Sequence, residues 1–523
     1  MDKSTNKIID WVSINGTSLY ILIMLVVFPV FNTNKFFNLD DDKTNFFLVA
    51  TITYACFMLL AVVKAILNWL KQDNLFLPPF KFTPATFALL LLLAVILSTI
   101  FSLNIRKSLF GVVSRNVSSL CLLLGIMVFF AVRKYGVFHK LILWGWMAGS
   151  AIIYIIGIFC ACGINFFHLQ DGIIPSEIAL FLTPLSNTNC NTCYVCLALP
   201  PIIVLYMTCK DRFSQILYGI YIYVAILFIY FIKTDAAILT LIFGMILLGY
   251  FALESSDWAE RYVQIAGIYF GAKLTIKILL FFFEKKMLYF HGTSLFLLTG
   301  KILILDLLCC LLLIVIWRWR GGLLREKLAG IRKHLLIAAF AIALLTILCI
   351  LYANIMSGRL TKDSLLQRLV ITDMTFNERG YMWRKTVRAL LDAPLGRKLV
   401  GCGLNCHVDF LGENSYFPDG KIFYEPHCEI LQITLNIGLI GLVGYFGLLI
   451  STLVNAYKNW KKSEPQIITA FTLSLFLVQC LTNAFAIYHL PLLFIFLGFA
   501  NGKGFKVPEK SDRPGFGLKS RQN

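Results

Sequence analysis

Charge is what this sequence has least of. Asp, Glu, Lys and Arg make up 14% of its 523 residues, where soluble domains carry about a quarter. That scarcity excludes an ordinary water-soluble chain. With 59% hydrophobic residues and a mean hydropathy of +0.78, it points to a membrane class. Cysteine outside apolar runs is also sparse. Of the fifteen, most (Cys56, Cys121, Cys309, Cys310, Cys349 and Cys480 among them) sit inside such runs as small hydrophobes, which argues against a secreted disulfide framework. No internal repeat of the inverted-transporter kind is visible. No small-residue cleavage site follows the first apolar run after Met1–Gly16, so that run is expected to remain as a span.

Apolar runs of about 18 or more residues recur along the whole chain, each long enough to cross roughly 30 Å of hydrocarbon as a helix. Lipid offers no partner to a free N–H or C=O, so helices are the expected answer. Spans are expected near 17–33, 46–70, 83–101, 115–132, 141–162, 191–209, 214–232, 235–253, 264–283, 293–317, 335–356, 429–456, 467–486 and 489–501. The fold class is therefore an all-α polytopic membrane protein with about 12–14 transmembrane helices and one large extracytoplasmic loop containing short helices. Residues 1–357 form an N-terminal bundle of about 11 spans; 358–427 are the loop, 428–501 the C-terminal spans and 502–523 a basic tail.

The net charge of +19 does not imply nucleic acid, because the basic residues lie in short loops and the tail. There they read as topology signals and contacts with anionic lipid headgroups. With the N-terminus inside, 25 Lys and Arg fall in cytoplasmic segments, against 8 in the short outer loops and their edges; the outer segment Gly163–Cys190 has none. This asymmetry puts both termini in the cytoplasm of a multi-pass protein and the large loop outside.

A loop of about seventy residues is too long to be a passive connection. It is also basic, with ten Lys and Arg, against the usual topology bias. Asn377–Asp392 reads as a helix: Trp383, Val387 and Leu390/Leu391 recur at helical spacing, Arg384 and Arg388 are i, i+4 neighbours, and Pro394 ends it. An aromatic–basic helix at the membrane surface suits phosphates or lipid headgroups. Gly401-Cys402-Gly403-Leu404 is a permissive turn. The loop closes on Glu425-Pro426-His427-Cys428-Glu429-Ile430-Leu431-Gln432, just before the Gly-rich Ile437-Gly438-Leu439-Ile440-Gly441-Leu442. A histidine held after a proline at the mouth of a span is rigidly placed and within reach of water.

These motifs, in this order, resemble the O-antigen ligase and polysaccharide polymerase superfamily of bacterial envelope enzymes. The resemblance rests on Arg379…Trp383, Pro394-Leu395-Gly396 with the Gly401-Cys402-Gly403 turn, and His427…Gln432 before the Gly-rich span. Upstream, Leu97-Ser98-Thr99-Ile100-Phe101-Ser102 with Gly111 and Arg115 looks like the family's early outer loop, and Ser186-Asn187-Thr188-Asn189 like its Gly-Asn-Pro-Asn element. The similarity runs through roughly residues 95–500. Cys428 stands where the family usually has Asn, and Lys233-Thr234-Asp235 is the nearest counterpart of a segment where it often carries Arg. Lys233 can supply charge there, though not a bidentate fork.

The resemblance implies transfer of a glycan from an undecaprenyl-pyrophosphate donor to an acceptor hydroxyl on a glycan, lipid or protein, on the outer face of the bacterial cytoplasmic membrane. His427 is the expected base or orienting group, since imidazole is largely neutral near pH 7. Arg379 and Arg115 are the expected cations for the leaving pyrophosphate. Lys233, Arg384, Arg388 and Glu429 are expected at the substrate, Glu429 less strongly because it points elsewhere on a helix. No cofactor or metal is called for, and no carboxylate cluster suits Mg²⁺. A zinc site among Cys402, Cys406, His407, His427 and Cys428, or a disulfide among these cysteines, is weighed and disfavoured. The rival class is a transporter or flippase for a lipid-linked or anionic substrate, in which Lys273, Lys277 and Asp306 would mark an ion pathway.

Overall fold

A computed structural model describes residues 3–70, 81–112, 117–175, 177–283, 297–356, 370–375 and 378–505. Among the described residues the chain is almost entirely helical, with one short antiparallel ladder, Phe181–Thr183 against Ser186–Asn187. The first helix, α1 (Lys3–Leu22), continues through a π-turn at Ile23–Val27 into Phe28–Val30. Then come α2 (Leu39–Leu70), α3 (Pro84–Ile100), α4 (Ile105–Phe110), α5 (Ser119–Tyr135), α6 (Lys140–Ala161), α7 (Thr188–Thr208), α8 (Arg212–Ile232), α9 (Asp235–Ala252) and α10 (Ser256–Phe283). After α11 (Gly300–Ile355) the long connection to the last spans contributes α12 (Arg379–Asp392), α13 (Leu395–Val400) and α14 (His407–Leu411), and α15 (Glu429–Asn459), α16 (Glu464–Cys480) and α17 (Leu490–Ala500) complete the bundle.

Eight of the described helices are long and apolar enough to cross a membrane. The protein is an all-α polytopic membrane protein. At its centre stands α7, apolar on every side and almost wholly buried, as expected of a helix surrounded by other helices.

Two expectations about spans change. Segments 293–317 and 335–356, with the basic stretch between them, were expected as two spans and a loop; from Gly300 to Ile355 the backbone is helical without a break. That stretch contains no proline, and its Leu, Arg, Lys, Glu and Ala are good helix formers even where charge keeps them out of lipid. The expected span 467–486 ends early, at Cys480, and residues 481–489 are a mostly buried non-helical segment.

The helix ends sort into two sets. At one end Glu254 takes ion pairs from Arg332 (2.8 Å) and Lys461 (2.9 Å), and Arg133 donates to the Asn501 carbonyl (3.3 Å). At the other, Lys35 meets Asp171 (3.4 Å), Lys107 meets Asp409 (2.8 Å), and the loops before α2, α5, α7, α15 and α17 converge.

The Gly-rich span has a specific packing reason. Helix α15 lies against α3, and a Cβ on Gly444 would come within 2.7 Å of the Leu91 nitrogen, so only glycine permits this approach. Six residues earlier, Gly438 breaks α15 with φ 70° and frees two carbonyls. The Leu435 carbonyl accepts from Cys402 N–H (2.9 Å), and the Asn436 carbonyl accepts from Gly403 N–H (3.0 Å) and the Ser98 hydroxyl (2.7 Å). Gly401 fits so closely that a Cβ there would sit 2.3 Å from the Asn436 oxygen. Gly438→Ala and Gly401→Ala should each lose on the order of 2–3 kcal/mol from the positive φ alone, before any clash. Thermal unfolding in detergent measures this; a transition temperature equal to the parent's would refute the interlock.

Candidate active site

Each motif of the outer loop is tied to a span. Trp383 of α12 donates its indole N–H to the Pro426 carbonyl (2.8 Å), which fixes the residue just before His427. His427 itself has a left-handed backbone (φ 47°), an uncommon conformation for a side-chain-bearing residue that the flanking contacts sustain. Cys428 then starts α15.

His427 lines a cavity of about 230 Å³. Its walls come from the start of α2 (Asp40), the start of α7 (Asn187, Asn189, Cys190, Cys193), Glu425 beside His427, and the 481–489 segment (Asn483, Ala484). Asn187 is the N-cap of α7, its side-chain oxygen accepting from the N–H groups of Asn189 (3.0 Å) and Cys190 (3.1 Å). That cap holds Asn189 ready for Arg379, whose guanidinium donates to the Asn189 side-chain oxygen (3.4 Å) and to the Thr482 carbonyl. Arg379 opens α12, and burial pulls its guanidinium below its ordinary value, which still leaves it charged. Arg379 and His427 thus reach the same group of segments, one through Asn189 and Thr482, the other through the cavity.

The remaining expected residues divide. Arg115 lies outside the described residues. Lys233 caps the C-terminus of α8 in the left-handed conformation and does not line the cavity. Arg384 is exposed, paired with Asp373 (2.5 Å) and lying over the Tyr381 ring; Arg388 is exposed too, and neither lines the cavity. They flank the exposed apolar Val387 and Leu391, so α12 keeps an amphipathic outer face. Glu429 does not face the cavity either. It is fully buried between Tyr445, whose hydroxyl donates to it (3.0 Å), and His489 (3.5 Å), because its position at the helix start turns it into the bundle.

Two more elements complete the site: the last residue of the His427–Gln432 motif, and a polar pair that no motif covered. Gln432 holds the main chain of Phe485 from both sides, accepting its N–H (2.6 Å) and donating to its carbonyl (3.2 Å). Thr482-Asn483, a polar pair in an apolar run, was the available signal for the 481–489 segment. Cys402, Cys406 and Cys428 are free thiols, and burial pushes all three up, away from the reactive thiolate. In the bundle, Asp306 pairs with Lys273 rather than Lys277, and Lys273 also lies over the Tyr269 ring.

Fold and site together define a polytopic helical membrane protein with a polar cavity at one end. Residues 287–446, which include Arg379, His427 and Gly438, match the family model described as O-antigen ligase. That match covers 160 of the 523 residues and supports the O-antigen ligase/polymerase superfamily for this part of the chain. No match was found among curated proteins.

Lys233 gives a separate test of the geometry. Burial lowers its ammonium to about 8. The unfolded chain binds this proton at higher pH than the folded one, so folding is penalised as pH falls from lysine's ordinary value to about 8, and fully below that. Lys233→Met should therefore stabilise at pH 7, by on the order of 2 kcal/mol after allowing for partial exposure. The gain should shrink as pH rises above 8. An equal gain at pH 7 and pH 10, by thermal unfolding, would contradict the burial.

Proposed function

We propose that the protein transfers a glycan from an undecaprenyl-pyrophosphate donor to an acceptor hydroxyl at the outer face of the bacterial cytoplasmic membrane, in cell-surface polysaccharide synthesis. The observation that carries this reading is a single polar cavity lined by His427 and by the Asn189 that also binds the buried Arg379. In the proposed step the acceptor oxygen forms a bond to the anomeric carbon while the bond from that carbon to the pyrophosphate oxygen breaks. His427 takes the acceptor proton, and the leaving pyrophosphate keeps the electron pair. Arg379 stabilises that growing charge with fixed, partly desolvated donors, and Arg115 is proposed as the second cation. The exposed Arg384 and Arg388 are proposed to meet headgroup or donor phosphates at the membrane surface, where screening makes each contribute little.

The transporter reading drew on an intramembrane charge pair. Asp306 and Lys273 satisfy one another and an aromatic ring, which favours a packing role.

Purified protein supplied with lipid-linked oligosaccharide should give either a ladder of repeats, as a polymerase, or single transfer to lipid or protein, as a ligase. His427→Ala should lower transfer on the order of 10²–10⁴-fold, and Arg379→Lys on the order of 10²-fold. Arg384→Ala should stay within about threefold. Full transfer by His427→Ala would remove the assigned base. Activity abolished by Asp306→Asn but not by His427→Ala would favour transport instead.

A further inference from the structure

The cavity holds a second polar residue with an unused hydrogen-bonding capacity. Asn483 is fully buried and lines the cavity, yet neither its amide oxygen nor its amide nitrogen has a protein partner among the described residues. Buried amides are ordinarily paired, so this one is made for a ligand that both donates and accepts. Its position is not incidental. The chain on one side is gripped by Arg379 at the Thr482 carbonyl, and on the other by Gln432 at both main-chain groups of Phe485. Asn483 therefore stands on a segment fixed at two points, one of them the last residue of the His427–Gln432 motif.

The chemistry around it narrows the ligand. Asp40, Ser186, Asn187, Glu425 and His427 complete the polar lining, while Phe181, Ala484 and Ile487 supply apolar wall. Among the described residues, two carboxylates and no lysine or arginine line the space. Amides and carboxylates against an apolar wall suit vicinal hydroxyls above the C–H face of a sugar ring. They do not suit a phosphate, which would go to the side where Arg379 lies. We propose that Asn483 is the residue that reads the hydroxyls of the acceptor's terminal sugar, that Gln432 is its positioning residue, and that this sugar is neutral or amino-bearing rather than a uronic acid. The inference takes its place in the reaction from the transferase reading, but the binding it describes does not depend on transfer.

The test is saturation-transfer NMR of the full-length protein in detergent, with methyl glycosides of neutral hexoses and hexosamines and of the corresponding uronic acids as probes at millimolar concentration. At least one uncharged or amino glycoside should take up saturation, with its uronic counterpart at least fivefold weaker. Asn483→Ala and the near-isosteric Asn483→Asp should each reduce the signal at least fivefold while the protein stays monodisperse. Gln432→Ala should reduce it as well. Glu425→Gln should raise the uronide signal, an arm that needs no change at Asn483 and so decides the matter if those variants fail to fold. Wild-type signals from a folded Asn483 variant, an unmoved uronide signal in Glu425→Gln, or no glycoside binding at all would overturn the proposal. Binding as described without any glycan transfer would instead overturn the transferase reading and leave this one standing.

Discussion

The outer loop is held by the break in α15 at Gly438. A transmembrane helix normally keeps all its carbonyls for itself. Here one residue with φ 70° releases the carbonyls of Leu435 and Asn436, and three donors from elsewhere in the chain take them: Cys402, Gly403 and Ser98. The fit is reciprocal, since Gly401 closes on the Asn436 carbonyl while Gly438 closes on the Leu399 carbonyl. Two weak sequence features, a Gly-Cys-Gly turn and a Gly-rich span, are the two halves of one joint. Around it, Arg397 donates to the Phe101 carbonyl, Asn405 to the Val117 carbonyl (3.0 Å), and Leu103 N–H to the Cys402 carbonyl (2.9 Å). The early outer loop and the late one are thereby a single body.

Placement of the site follows from that joint. With α13 pinned to α15 and α12 joined to it through Pro394, Trp383 can reach Pro426, and His427 is positioned from before and after. The same stretch of α15 organises the far wall. Glu429 and Gln432 are i, i+3 neighbours on one helix face, and both turn toward 481–489, Glu429 at its His489 end and Gln432 in its middle. Non-helical backbone in a membrane protein persists where it is buried in protein or lines a cavity, and this segment does both.

Much of this was legible in the sequence, because the membrane constraint writes itself into apolar length and into the placement of Lys and Arg. The helix that stops just before Pro394 and the grouping of loop ends both followed from local chemistry. What escaped had physical causes. Periodicity gave Trp383, Val387 and Leu391 as one stripe, but the loop's small core formed around Met382, Leu411 and Phe423; Val387 and Leu391 stayed outward while Trp383 turned to the Pro426 carbonyl. The stretch 318–333 carries enough charge to look like a loop, while its helix propensity carried the backbone through. Glu429 looked available because it follows the histidine by two residues; only the helix phase shows that it points to Tyr445. Asn483 stood in a run too apolar to suggest a site, and nothing local announces that Gln432, fifty-one residues earlier, holds its loop.

The site's charge arrangement has a consequence for the order of its chemistry. Its fixed cation, Arg379, has part of its donor capacity taken by the Thr482 carbonyl and Asn189, neutral groups that hold its orientation without cancelling its charge. A carboxylate partner in the same place would fix the side chain equally well, but would also neutralise the field that an arriving phosphate must feel. The carboxylates that line the cavity, Asp40 and Glu425, come from the start of α2 and from the residue two before His427. An ordered cation with neutral anchors, outside an acid-lined cavity but bonded to its Asn189, keeps a region suited to a leaving pyrophosphate apart from one suited to hydroxyls. His427 belongs to the second region, where a proton would have to be taken, and the thiols nearby are kept inert by burial. The same anchor that orients Arg379, the Thr482 carbonyl, adjoins Asn483, so any shift of the cation on binding a phosphate would be felt directly at the residue that meets the hydroxyls.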